Sequence, residues 1–175
     1  MRERGASGDP AAVGFVPAGF ADALAAWPGA VTLVTLADGR DDIGSTVSGF
    51  CPVSADPPLV LVSLLASSYP AEVLGRLESF AVTLLTVSQR ALAGRFAAAG
   101  RPGARVLLEN VPYQRGPASG ALIPAGGLAA LECEVTERIP AGDHVLVVAQ
   151  VVNVPYISES GDPLIRFRGA YLTGR

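Results

Sequence analysis

A chain of 175 residues, half of them hydrophobic, holds enough apolar material for one core of ordinary size and too little for two. The net charge is −3 with no basic stripe, which argues against nucleic acid, and no run of about 18 apolar residues offers a membrane-spanning helix. The 13 basic residues are all arginine and His144 is the only histidine, which excludes Schiff-base and phosphate-loop lysines and a HExxH zinc site.

Residues 1–17 carry charges but no apolar segment of signal-peptide length, so they read as a flexible arm on a cytoplasmic protein. Residues 18–175 read as a single domain. Phe20, Leu24 and Trp27 fall at helical intervals, and Pro28-Gly29 stops that helix. The β-branched run 30–36 predicts a strand, Asp38-Gly39 a hairpin turn, and 43–50 the returning strand. A buried strand follows at 58–64, then a short helix over 71–77 with Ser67 and Ser68 ahead of it and Pro70 in its first turn. Residues 80–86 predict a strand and 88–100 a helix. The Gly- and Pro-rich stretch 101–124 reads as an excursion over the surface.

Farther on, Leu131, Cys133 and Val135 alternate with Glu132, Glu134 and Thr136, the pattern of a half-buried strand with its glutamates outward. The run 144–154 is apolar on both faces and needs cover on both: Val145, Val147, Ala149 and Val151 on one, Leu146, Val148 and Val152 on the other. A last strand spans 164–172, with Arg166 and Arg168 on one face and Phe167 opposite. Cys51 and Cys133 have neither metal nor disulfide spacing and read as reduced and buried. Strands separated by only two short helices suggest a mainly β protein, a closed or nearly closed barrel with helical decoration.

Four stretches offer chemistry, one of them "RFRG", whose Arg166 and Arg168 can meet a ligand or stand as a solvated pair. Ser45, Thr46, Ser48 and Gly49 are small and polar where a strand wants bulk, which leaves room for a flat ligand or marks a bulged strand end. Ser67 and Ser68 stand where they can cap a helix or meet an anion. Asp143 can orient the His144 ring through one nitrogen and leave the other for a ligand.

Taken in order, "FADALAAWPGAVTLVTL", "STVSGFCPVSADPPLVLVSL", "FAVTLLTVSQRALAGRFA", "AGDHVLVVAQVVNV" and "PLIRFRGAYL" resemble the short-chain flavin reductases, the reductase component of two-component flavin monooxygenases. The resemblance runs from Phe20 to Leu172. It implies an FMN-binding split β-barrel, Greek-key-like in its connections, that forms a homodimer. It also implies an NAD(P)H-dependent flavin reductase that reduces FMN or FAD with NADH or NADPH. A partner monooxygenase receives the reduced flavin by diffusion.

By the same resemblance the flavin ring lies along Thr46, Val47, Ser48, Gly49 and Phe50, and its ribityl and phosphate meet Ser63, Leu64, Ser67, Ser68 and Tyr69. His144, oriented by Asp143, together with Phe167, Arg168 and Gly169, falls where the nicotinamide nucleotide binds. No basic residue lies between Arg40 and Arg76, so phosphate binding there rests on hydroxyls and amides. No catalytic side chain and no metal is implied, because hydride passes directly between the cofactors. The competing class is a split barrel that binds flavin or a partner without catalysis.

Overall fold

The computed structural model describes residues 16–39 and 41–172; nearly all of the arm expected over 1–17 lies outside them. The chain opens with α1 (Phe20–Ala25), β1 (Gly29–Ala30), β2 (Thr32–Asp38), β3 (Asp41–Val47), β4 (Phe50–Ala55) and β5 (Pro58–Leu65). Then come α2 (Tyr69–Leu74), β6 (Ser79–Leu84), α3 (Arg90–Ala97), α4 (Ala104–Leu107), β7 (Tyr113–Arg115) and β8 (Leu122–Pro124). It ends with β9 (Ala129–Ala141), β10 (His144–Ile157), β11 (Ile165–Phe167) and β12 (Ala170–Leu172). The described residues thus hold four short helices, of which α4 was not expected from the sequence.

Seven strands form one antiparallel sheet in the order β3-β2-β6-β9-β10-β5-β4. Its two edges, β3 and β4, are consecutive in the chain, with only Ser48 and Gly49 between them. Three Cα steps reach about 11 Å at most. A flat seven-stranded sheet would hold its edges far beyond that reach, so this one must roll into a nearly closed barrel. The edges are joined through Ser48-Gly49, and at this seam the Ser63 amide of β5 donates to the Gly49 carbonyl at 2.7 Å, one residue past the Phe50–Val62 pair of the β4–β5 ladder. A Cβ on Gly49 would stand 2.9 Å from that of Ser63. A side chain at Gly49 would therefore force Ser63 and its strand to shift.

Inside the barrel, Val34, Leu36, Val62, Phe80, Val82 and Val147 pack with Val73 and Leu74 of α2. Each fully buried side chain of this kind contributes roughly 1.5–3 kcal/mol. The central strands, α2 and the β3 edge with Ile43 and Val47 therefore carry most of the stability, and the exposed β4 edge little. Ser68 caps α2: its hydroxyl accepts from the Ala71 amide at 3.3 Å, and Pro70 sits in the first turn.

The outer face of β2, β6 and β9 carries a second layer. Leu33 and Leu85 pack there against Leu92, Phe96, Leu107, Leu108 and Leu122, while Ala121 and Ile123 cover Ala81 and Ala130. The stretch 101–124 is thus not a surface excursion. Its glycines make the turns, and the leucines between them are buried. Asp42 pins this layer to β3, receiving Arg105 at 2.5 Å and Arg115 at 2.9 and 3.1 Å.

Four further expectations change. Glu132, expected in solvent beside Glu134 and Thr136, is fully buried because the 116–120 loop folds over that end of β9. Its carboxylate accepts from the Ala118 amide (3.0 Å), the Ser119 amide and hydroxyl (2.7 Å each) and Asn153 Nδ2 (2.7 Å). Residues 43–50 are not one strand, since Ser48-Gly49 breaks them between opposite edges of the sheet. Residues 164–172 fold into the β11–β12 hairpin, with Arg168 (φ 47) and Gly169 (φ 77) in its turn, so Arg166 and Arg168 do not share a strand face. Cys133 is buried as expected and burial pushes its thiol up to about 12, but Cys51 on the edge strand β4 is exposed.

β10 has the two apolar faces expected of it. Val145, Val147, Ala149 and Val151 join the barrel interior, whereas Leu146 and Val148 are only half-buried and Val152 is exposed.

Candidate functional site

A cleft of about 460 Å³ opens over the seam, within the size range of small-molecule sites. Its floor is Ser48, Gly49, Phe50 and Cys51 with Leu61 and Ser63 of β5. β5 alternates, so Val60, Val62 and Leu64 turn into the barrel while Leu61 and Ser63 face the cleft. One wall is Leu24, Ala25, Trp27 and Gly29, from α1 and the start of β1. The other is Arg166, Phe167, Arg168 and Gly169 of the hairpin. The walls are joined: Gly29 pairs with Arg166, and the Arg168 amide donates to the Ala25 carbonyl at 2.8 Å.

The cleft brings together Ser48, Gly49, Phe50, Ser63, Phe167, Arg168 and Gly169 from the residues singled out by sequence. Val47 and Leu64 are buried in the barrel core, so only their main chain can face a ligand. Thr46 is half-buried on β3, outside the cleft lining. Ser67, Ser68 and Tyr69 lie beyond the end of β5; Tyr69 lines a different groove, with Asp41, Asp42 and Arg105. No cation reaches that turn from Arg76, whose guanidinium is held by Asp38 in a two-bond pair.

His144 pairs with Leu65 where Leu146 pairs with Ser63, so it stands on the cleft face of the sheet, two residues farther along. At the usual strand rise that is roughly 7 Å. Its Nδ1 is 2.7 Å from Asp143 Oδ1, and Nε2 makes no hydrogen bond to any described residue. The bond to the His144 ring and the ring's charge hold the Asp143 carboxyl below its ordinary range. His144 is therefore adjacent to the cleft, oriented, and open on one nitrogen.

Sequence reasoning missed Leu24, Trp27, Leu61 and Cys51 as lining residues, and singled out Arg166 only as one of a pair of arginines with no ligand assigned. The apolar stripe of α1 was visible, but not its destination. Trp27 is 79% exposed, and no residue of α1 is buried. An apolar helix face that finds no core and instead forms the rim of a cleft is a surface for a ligand or a second chain.

The lining suits a flat aromatic ligand: small residues at the floor, aromatic rings at both walls, and no carboxylate. The sequence of residues 24–175 matches the flavin reductase like domain. An NADH-dependent FMN reductase of Streptomyces nodosus subsp. asukaensis is 36% identical over 154 residues, covering 88% of this chain and 83% of that one. The reductase component of the 4-hydroxyphenylacetate 3-monooxygenase of Thermus thermophilus is 34% identical over 152 residues, covering 87% of this chain and 93% of its own. The solved NADH:FAD oxidoreductase of Streptomyces globisporus, in complex with NAD and FAD fragments, superposes with a TM-score of 0.80 at 27% identity, over 87% of this chain and 89% of that one. With fold and sequence agreeing over nearly the same residues, the chain belongs to the flavin reductase-like family.

Proposed function

We propose that the chain is an NAD(P)H:flavin oxidoreductase that reduces FMN or FAD and releases the product to a partner monooxygenase. The observation that carries this reading is the cleft over the seam, with its small floor and aromatic walls. The chemistry that the bound cofactors supply is hydride transfer from nicotinamide C4 to flavin N5, which asks for no acid, base or nucleophile from the chain.

What the chain supplies is position and dryness. Ser48, Gly49 and Ser63 form a floor on which a ring can lie, and the main chain from Thr46 through Val47 to Phe50 and at Leu64 borders it. Ser67, Ser68 and Tyr69 receive the flavin's phosphate end through hydroxyls and amides. Trp27 and Phe167 exclude water at the rims. His144, steadied by Asp143, donates from its open nitrogen to the nicotinamide nucleotide, beside Phe167, Arg168 and Gly169. The test is NADH or NADPH oxidation by the purified protein with and without each flavin. Flavin-dependent turnover is expected; no turnover with any of the four pairings overturns the reading in favour of a non-catalytic binding barrel.

The working form in this proposal is a homodimer in the cytoplasm. No helix among the described residues is long and apolar enough to cross a membrane. The outward face of β5, β9 and β10 presents Leu65 (46% exposed) and Ile139 (37%) around the half-buried Leu61, Leu146 and Val148. A second copy of the chain is the simplest cover, since two-fold homodimers are the commonest oligomers. Sedimentation equilibrium at sub-micromolar concentration should give twice the chain mass. A folded, active monomer under those conditions would remove the dimer from the proposal.

A further inference from the structure

The arginines divide sharply by what they touch. Arg76, Arg95, Arg101, Arg105, Arg115 and Arg138 each donate to a carboxylate or carbonyl of the fold. Arg90, Arg166 and Arg168 donate no side-chain hydrogen bond to any described residue, and of these three Arg166 and Arg168 line the cleft over the seam. None of its other lining residues is charged. In a chain of net charge −3, an acid-free cleft with two unengaged guanidinium groups is built for an anion.

The geometry keeps both groups at the rim. Arg166 is fixed on β11 between Gly29 and Tyr171. Arg168 holds a left-handed backbone (φ 47) at the tip of the hairpin, where asparagine or glycine would fit with less strain. Its guanidinium lies 5.2 Å from the centre of the Phe167 ring, which orients it while leaving N–H groups for a ligand.

We infer that Arg166, with Arg168, forms a phosphate clamp, and that Arg166 determines affinity for the phosphate-bearing end of the ligand in this cleft. The guanidinium fork matches phosphate oxygens in geometry and charge. The inference rests on the flavin reductase reading, which sets the dinucleotide's pyrophosphate beside Arg168; an FMN phosphate held here rather than at Ser67, Ser68 and Tyr69 is the other outcome the test distinguishes. Its chemistry is the same in both cases.

The test compares the full-length wild type with Arg166→Gln and Arg166→Lys. It measures KM for FMN, riboflavin and NADH, and binding of inorganic pyrophosphate by calorimetry, which needs no turnover. The glutamine variant should bind pyrophosphate about 10-fold more weakly or worse, with lysine restoring much of the loss. A rise in the KM of FMN with riboflavin unmoved assigns the clamp to the flavin phosphate. A rise for NADH with both flavins unmoved assigns it to the dinucleotide. Equal changes for all three ligands, or none, overturn the clamp. A wild type that oxidises no NADH, while glutamine still abolishes pyrophosphate binding, removes the reductase reading and leaves the clamp. An active wild type whose glutamine variant binds pyrophosphate equally well does the reverse.

Discussion

Replacing Glu132 by alanine should destabilise the protein by about 3–5 kcal/mol, because several neutral donors lose their shared acceptor in a dry site. The carboxylate is fully buried and satisfies donors from Ala118, Ser119 and Asn153. Alanine leaves those donors without an acceptor, at about 1–3 kcal/mol for each one that stays dry. The 116–120 loop can swing toward water and recover part of this, so the full sum is not reached. Glu132→Gln keeps the shape and one acceptor but turns an NH₂ toward other donors, so its cost should be intermediate. Urea unfolding decides the matter: the midpoint should fall with an unchanged slope. An alanine variant within about 1 kcal/mol of wild type, the net worth of an ordinary hydrogen bond, would show the network to be dispensable.

The same group predicts an acid limb. Burial pushes the Glu132 pKa up, but hydrogen bonds from Asn153, Ser119 and Ala118 outweigh it and hold the carboxyl below its ordinary value. Its contribution is thus complete above the ordinary carboxylate range and is lost as pH falls through the lowered pKa. The glutamine variant should show a flatter decline in that window.

Replacing His144 by alanine should raise the KM for the nicotinamide nucleotide roughly 10- to 150-fold, the loss of a hydrogen bond to a charged group of ~1.5–3 kcal/mol. Flavin Kd should scarcely move, because His144 lies along the sheet from the cleft rather than in its lining. The bond from Asp143 fixes the ring, so Asp143→Asn should produce a smaller loss in the same direction. Equal damage to nucleotide and flavin, or damage to neither, would show that the ring serves another purpose.

Local patterns were legible in the sequence. The Ser68 cap, the two faces of β10 and the Asp143–His144 pair follow from neighbours one to four residues apart, where side-chain chemistry decides structure directly. The hairpin after β2 was visible too, although Asp38 pairs with Asp41 and the turn begins one residue later than expected. β4 was not legible, because an exposed edge strand containing Pro52 has no apolar alternation to reveal it. Glu132 could not be read as buried, since its partners lie 13 to 21 residues away in a loop and a different strand. The cleft was half visible for a related reason. The hairpin and seam residues carry family motifs, whereas Trp27 and Arg166 become lining only when Gly29 pairs with Arg166.

The seam has a consequence for how such a protein can change. Because β3 and β4 are tied by two residues, the cleft opens beside β4, an edge strand with no buried residue. Cys51 stands exposed on β4, and Arg166 projects from a three-residue strand outside the barrel ladder. Exchanging either alters what the cleft meets without emptying any part of the core. Ligand preference and durability are thereby governed by separate sets of residues, and a lineage can explore new flavins or donors while its barrel endures unchanged.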